Sequence, residues 1–536
     1  MAAPGESDTT RGNDPDTDTH AEPDGPVASG PVESRPVESG PAESGPEYSE
    51  PVDPWATGEA AAIAAGGHSP YQAPAGGEPT WTIPGAPEPA VTRQEQGDRP
   101  YKKRLLIGIV AGVVALGVAA AVILWPGTRA LDFHPVEELA RFDPAVPVGS
   151  GWSDTEVIGD RAYFASSDQD GRLGVVAVDT GSKKMVWSNP AAGTASLWDR
   201  MIALPVGLVV FSSLESSTGK AQMRILGAGD GKELWNRPIG SSDTVHIGAD
   251  TMVIVDRVEQ RLLGLDLETG EVRWEEEDPD ATTVVTVTTQ ADLAGPAGTG
   301  GRPFSPDVSD DDRFVQINSD RSASVRDMRT GKVAKTRPSV AGTSDEAIAH
   351  DGRLFVHESG NAQRIFAYDL EGFGEPATLH TAAPDASLSS LTPCGEKRLC
   401  FVETAGFDRD AGQVVAVDAE KGGELWRHDV PAVESLIPIG TSLLAVADED
   451  STMIDPDGTR LWTVPGVAVR LDAGNVLRFS GSLTTSVGSQ SLSGVHVGDA
   501  AAEMGLLRDV RPGACAWNTT VLACVRESDF ALFSFA

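Results

Sequence analysis

GLDLETGEVRW, residues 264 to 274, is the stretch that decides the fold. Its apolar start reads as a strand running toward Asp266, whose carboxylate is placed to accept backbone N–H groups of the following turn. Gly270 then supplies a positive φ without a Cβ clash, and the chain reverses into a second strand carrying Trp274. The indole is large enough to cover the gap to a neighbouring sheet, with its N–H left for a backbone carbonyl. Such runs are too short and too often interrupted for helices, so they call for a repeat search.

The search returns further copies. AVDAEKGGELW occupies 416–426 and ILGAGDGKELW occupies 225–235, each with Gly four residues before Trp. Weaker copies are AVDTGSKKMVW at 177–187, VRDMRTGKVAK at 325–335, the stretch around Asp369 to Gly372, and MIDPDGTRLW at 453–462, one residue shorter. Successive turns fall about 36 to 61 residues apart, averaging in the mid forties, which is the length of a four-stranded propeller blade. Upstream of the turns lie other apolar runs: 162–165, 208–211, 252–255, 354–356, 399–402 and 443–446. These are expected to be the second strand of each blade, with the innermost strand before them. The repeat tryptophans Trp187, Trp235, Trp274, Trp426 and Trp462 are structural residues on this reading.

The pattern A-x-D-x-x-[TK]-G-x-x-x-W resembles that of the pyrroloquinoline-quinone-like (quinoprotein-like) β-propeller repeat proteins, over about residues 140 to 536. The resemblance implies an all-β, eight-bladed propeller. Counting the candidate turns themselves, including one at Asp499, gives eight or nine; eight is taken here, within a range of seven to nine. The terminal run Phe530 to Phe535 reads as a third strand without a fourth. LARFDPAVP, 139–147, resembles the outer-strand pieces LWRHDVP and LWTVPG and is expected to complete that last blade, removing an open sheet edge. Asp292 to Asp312, DLAGPAGTGGRPFSPDVSDDD, expands one repeat into a long loop. It is either a contact surface on a rigid scaffold or a tolerated surface insertion.

Ahead of the repeats, LLIGIVAGVVALGVAAAVILW runs from Leu105 to Trp125 without a charge. About 21 residues at 1.5 Å of rise cover the ~30 Å hydrocarbon thickness of a bilayer as a helix. Arg99, Lys102, Lys103 and Arg104 precede it, so the positive-inside rule puts the N-terminus in the cytoplasm. A cleaved signal peptide fits poorly with the hundred residues before the run. Gly108 and Gly112 form a small-xxx-small pair that suits helix dimerisation, though glycine is common in such helices. The expected organisation is a disordered, acidic, Pro-rich cytoplasmic tail (1–103), a transmembrane helix (104–125), a linker (126–137) and an extracytoplasmic propeller (138–536).

The tail has few large apolar side chains and contains a period-five array, PVASG PVESR PVESG PAESG, at 26–45. The formal net charge is −37, with 18 acids against 4 arginines in the first 100 residues, which argues against a nucleic-acid partner. All 4 cysteines lie after the span, as suits an oxidising compartment. Cys394 with Cys400, and Cys515 with Cys524, bracket short turns and are expected to form two local disulfides. A metal site is the alternative, but no histidine has suitable spacing near either pair.

Propeller enzymes of the resembled family oxidise alcohols or sugars with a bound quinone and calcium. They generally carry an adjacent Cys-Cys pair under the cofactor, and often a haem-attachment C-x-x-C-H; this sequence has neither. No H-x-x-x-H pair, serine elbow or phosphate loop occurs. Asp310 to Asp312, and Asp455 with Asp457, are conceivable calcium ligands but lack EF-hand spacing and read as turns. No catalytic, cofactor or metal residue is therefore assigned and no cofactor expected. The expected function is that of a membrane-anchored extracytoplasmic module that binds or scaffolds envelope proteins, peptides or glycans. The alternatives are a ligand sensor coupled to the tail and, further off, a quinone-dependent dehydrogenase.

Overall fold

The computed structural model describes residues 129–149, 151–215, 219–278, 282–297, 308–360, 362–406, 408–447, 450–484 and 486–536. The expected disordered tail (1–103) and the expected transmembrane helix (104–125) lie outside the described residues. Among the described residues the strands form antiparallel four-stranded units, and these number nine. The innermost strands, in chain order, are Ser153–Ile158, Trp198–Leu204, Thr244–Gly248, Thr283–Thr288, Glu346–His350, Ala386–Pro393, Val433–Ile439, Val467–Arg470 and the C-terminal part of Ala502–Trp517. In the first eight blades the inner strand is followed by three more stepping outward; in the ninth it is followed by two. The six apolar runs expected as second strands all fall inside such strands, for example 399–402 within Arg398–Ala405 and 443–446 within Ser442–Ala447.

The sheets alternate sides along each strand, and in a propeller both sides face another blade, so the strands read as nearly continuous apolar runs. Val175, Val176, Ala177 and Val178 are all fully buried. Val175 and Ala177 pack toward the second blade, Val176 and Val178 toward the ninth. Nine apolar clusters join consecutive blades, and the ninth returns to the first through Phe164, Phe530 and Leu532. The ring is closed. Every weaker copy belongs to a blade, so the count is nine, the upper of the two values from the turn count and within the expected range of seven to nine.

Closure uses the expected strand. Glu137–Phe142 pairs antiparallel with Phe530–Ser534, Phe142 opposite Phe530, and so supplies the fourth strand of the ninth blade. The sixteen-residue strand Ala502–Trp517 ends the eighth blade with its first half and begins the ninth with its second. The residues before Glu137 are also packed, from Arg129 on. Phe133 lies over Gly494, where a Cβ would come within 2.3 Å of its ring, and stacks on Phe535 at 6.5 Å. The linker expected over 126–137 is thus, from Arg129 onward, part of the ring.

Both disulfides are present, Cys394–Cys400 with Cα atoms 5.7 Å apart and Cys515–Cys524 with 4.2 Å. Each ties the first strand of its blade to the second. Loops this short give about 2–3 kcal/mol apiece in the chain-entropy account.

Candidate functional site at the mouth of the ring

Inner strands run toward one face of the ring, which carries their connections to the second strands and also the Asp-containing turns. At those turns the carboxylates do what the repeat requires. Asp266 Oδ1 accepts the N–H groups of Glu268 and Thr269 at 3.0 and 2.8 Å, and Asp418 Oδ1 those of Glu420 and Lys421 at 2.8 and 2.9 Å. Hydrogen bonding lowers both carboxyl pKa values, from the Arg273 guanidinium first for Asp266 and from the backbone donors first for Asp418.

Four of the five repeat tryptophans reach the turn of the following blade. Trp187 Nε1–H donates to Ala228 O at 2.9 Å, Trp235 to Leu267 O at 2.9 Å, Trp274 to Met328 O at 2.7 Å and Trp426 to Pro456 O at 3.0 Å. Their rings cover Gly231, Gly270, Gly331 and Gly458, where a Cβ would lie 2.4 to 2.6 Å from an indole carbon. Trp462 makes no such bond; the Arg478 guanidinium lies 5.5 Å from its ring centre. These clasps are structural and leave the mouth of the ring for other business.

That mouth is crossed by the insert. Leaving the fourth blade after Thr288, the segment turns at Asp292, whose Oδ2 accepts Thr289 N–H at 2.6 Å, and buries Leu293 and Ala297. It is tied to the eighth blade, because Ala297 N–H donates to Arg470 O at 3.0 Å and Arg470 Nε–H donates to Gly295 O at 2.7 Å. The returning residues Val308–Ser309 pair in parallel with Ile247 and Gly248 of the third blade. The insert is therefore anchored to three blades and is not a surface decoration.

Arg470 is the residue that composition and motif could not single out. It is 3% exposed, and a second nitrogen donates to Pro438 O at 3.1 Å. Burial lowers its pKa to about 10, which still leaves it charged at physiological pH. Its only sequence signal is an arginine ending the apolar run VAVR. Two other groups, both partly buried, were equally silent. Asp154, on the first inner strand, has its pKa pushed up to about 7 by burial, with the Asp199 carboxylate adding to it. His246, on the third, is lowered to about 4 by burial and then by the Arg257 charge.

Beside the insert lies a depression of about 370 Å³. Leu204, Val206, Leu267 and Val308 line its apolar part, and Arg273 stands on its wall between Asp250 (2.9 Å) and Asp266 (2.7 Å). In each acidic stretch considered for calcium, one carboxylate is engaged otherwise. Asp311 holds Arg313 at 2.9 and 2.7 Å, and Asp455 Oδ1 accepts the N–H groups of Asp457 and Thr459. Among the described residues no group of three His, Cys, Asp or Glu is arranged to hold a metal ion. Among the described residues the mouth is an acidic, partly apolar surface, suited to recognition.

No curated protein sequence matches the chain. Among solved structures it is similar to BamB from Moraxella catarrhalis, at 14% identity over 75% of this chain and 100% of that one, TM-score 0.37. It is also similar to a europium-containing methanol dehydrogenase (12%, 74% and 93%, 0.35) and to Saccharomyces cerevisiae Sqt1 (10%, 74% and 99%, 0.37). The family PQQ_2, described as outer membrane protein assembly factor BamB, matches residues 169–299 and 377–531. The unmatched gap between them holds the fourth blade's outer strand, where Lys335 stands for Trp, and the fifth blade's turn, where Phe373 stands for Gly. With more than half of its length matched, the chain belongs to this family of PQQ-like β-propeller repeat proteins.

Proposed function

We propose that this protein is a single-pass membrane protein whose extracytoplasmic propeller binds and scaffolds other envelope proteins. The observation that carries the reading is the insert strapped over the mouth, with its ends held by the third, fourth and eighth blades. Its described parts, 289–297 and 308–309, are already held by the blades, so little of their backbone entropy remains to be lost on binding. Membership of a family described as an assembly factor supports protein recognition without turnover, and the uncharged run Leu105–Trp125 supports the anchor. The test is proximity labelling from the propeller in intact cells, comparing the native chain with one lacking 289–312. Envelope proteins enriched by the first and lost with the second are expected. A labelling pattern indistinguishable from that of an inert domain on the same span would refute the reading. Reduction of an artificial electron acceptor by chain loaded with quinone and calcium would favour the dehydrogenase instead.

A further inference from the structure

We infer that the ring is hung with its insert-bearing face toward the membrane and its opposite face toward the extracytoplasmic space. This rests on the proposed span, and it follows from where Arg129 is fastened to the ring. Asn475, fully buried, donates from Nδ2 to Arg129 O at 3.0 Å and accepts Leu131 N–H at Oδ1, 3.2 Å away. Asp472 locks that amide in turn, accepting from Asn475 Nδ2 at 2.9 and 3.0 Å. Asn475 opens the second strand of the eighth blade, Asn475–Phe479, immediately after the connection from Val467–Arg470. Arg129 is therefore fastened to the face that carries the insert.

Only Pro126, Gly127 and Thr128 separate Trp125, the end of the apolar run, from Arg129. Four residue steps reach at most about 14 Å when fully extended. The attachment is inboard, two strands from the rim, or about 10 Å at the usual strand spacing. A strand of about six residues makes the blade about 20 Å deep. For the opposite face to meet the bilayer, the leash would have to round the rim and descend that depth, about 30 Å in all. It is half the required length. Adhesion does not set this orientation, because the turn carboxylates Asp230, Asp266, Asp327 and Asp418 occupy the same face and are repelled by anionic headgroups. The short leash alone sets it.

The test places one thiol at either end of a single strand of the ninth blade, Val521–Arg526. Thr520 is exposed on the insert-bearing face and Glu527 on the other, and the native cysteines are all paired. Thr520→Cys and Glu527→Cys, each in the full chain in liposomes, carry a donor dye, and the headgroups carry a short-range acceptor. Energy transfer from position 520 is expected to exceed that from 527 by about twofold or more, given the ~20 Å between them. A flexible insertion of about twenty residues between Thr128 and Arg129, reaching some 70 Å at full extension, should abolish the difference. Equal or inverted transfer with the native leash, in protein that stays with the liposomes after an alkaline wash, would overturn the orientation alone. Loss of the protein in that wash would overturn the span and the orientation with it.

Discussion

Gly231→Ala is expected to be among the more damaging single-methyl additions in this chain, and the damage should vanish when Trp187 is removed. Gly231 has φ +67°, and its Cβ would stand 2.4 Å from Trp187 Cε3. The left-handed backbone costs an alanine about 1 kcal/mol, and displacing a packed indole costs about 1–3 kcal/mol more, so about 3 kcal/mol in total is expected. Trp187→Ala alone, which empties a site 8% exposed and loses the bond to Ala228 O, should cost about 3–5 kcal/mol. In the double variant only the backbone cost of the added methyl at position 231 remains, so the two effects should fall short of their sum by about 2 kcal/mol. Urea unfolding followed by far-ultraviolet circular dichroism gives the four stabilities. Additivity within about 0.5 kcal/mol would refute the clasp as a coupled unit. Lys183→Gly is the internal control. Lys183 occupies the same turn position in the first blade at φ 58°, but the preceding outer strand, Glu137–Phe142, carries no tryptophan, so a change within about 1 kcal/mol is expected.

Asp154 has its folded pKa raised from 3.8 to about 7, so its contribution to stability is whole below the lower value and is lost as pH rises through the interval. Asp154→Asn, which stays neutral, should therefore match the native chain near pH 4 and exceed it by about 4 kcal/mol above pH 7 in pH-dependent unfolding. His246 runs the other way: its pKa is lowered from 6.5 to about 4, so its contribution is whole above 6.5 and lost as pH falls toward 4, and His246→Gln should flatten that acid limb. Arg470→Met leaves Gly295 O and Pro438 O without their buried donor and should cost about 2 kcal/mol. Amide exchange across 289–297 should quicken by roughly tenfold or more, the factor that 1.4 kcal/mol or more of lost local stability gives. Removal of Glu137–Phe142 bares the edge of Phe530–Ser534, and a shift to oligomers larger than the native chain forms is expected on size-exclusion chromatography.

The pairing of Trp and Gly explains why some copies of the repeat look degraded. In the first and fifth blades, whose preceding blades present no tryptophan, the turn has room for a side chain, and Lys183 and Phe373 adopt positive φ there, at 58° and 47°; in the sixth the Thr378 carbonyl takes the place of the indole and would lie 2.5 Å from a Cβ at Gly422. Phe373 sits edge-on to Tyr368, with centroids 6.1 Å apart, and the Arg337 guanidinium lies 5.8 Å from the centre of the Tyr368 ring. Read one copy at a time, these are decayed motifs. Read across the interface, each is the partner of a missing indole in the blade before it.

Local chemistry was enough to establish the strands, the turn carboxylates, the tryptophan bonds, the cysteine pairs and the strand that closes the ring, because each is specified within some dozen residues or by its likeness to a neighbouring copy. The ninth blade, the course of the insert across the mouth, the burial of Arg470 and the fastening of Arg129 to Asn475 were decided by the tertiary structure alone. The last three join positions 175 or more residues apart. Whether a ring closes at eight units or nine depends on the summed angles between blades, and a buried arginine is recognisable only once the carbonyls that satisfy it have been brought to it.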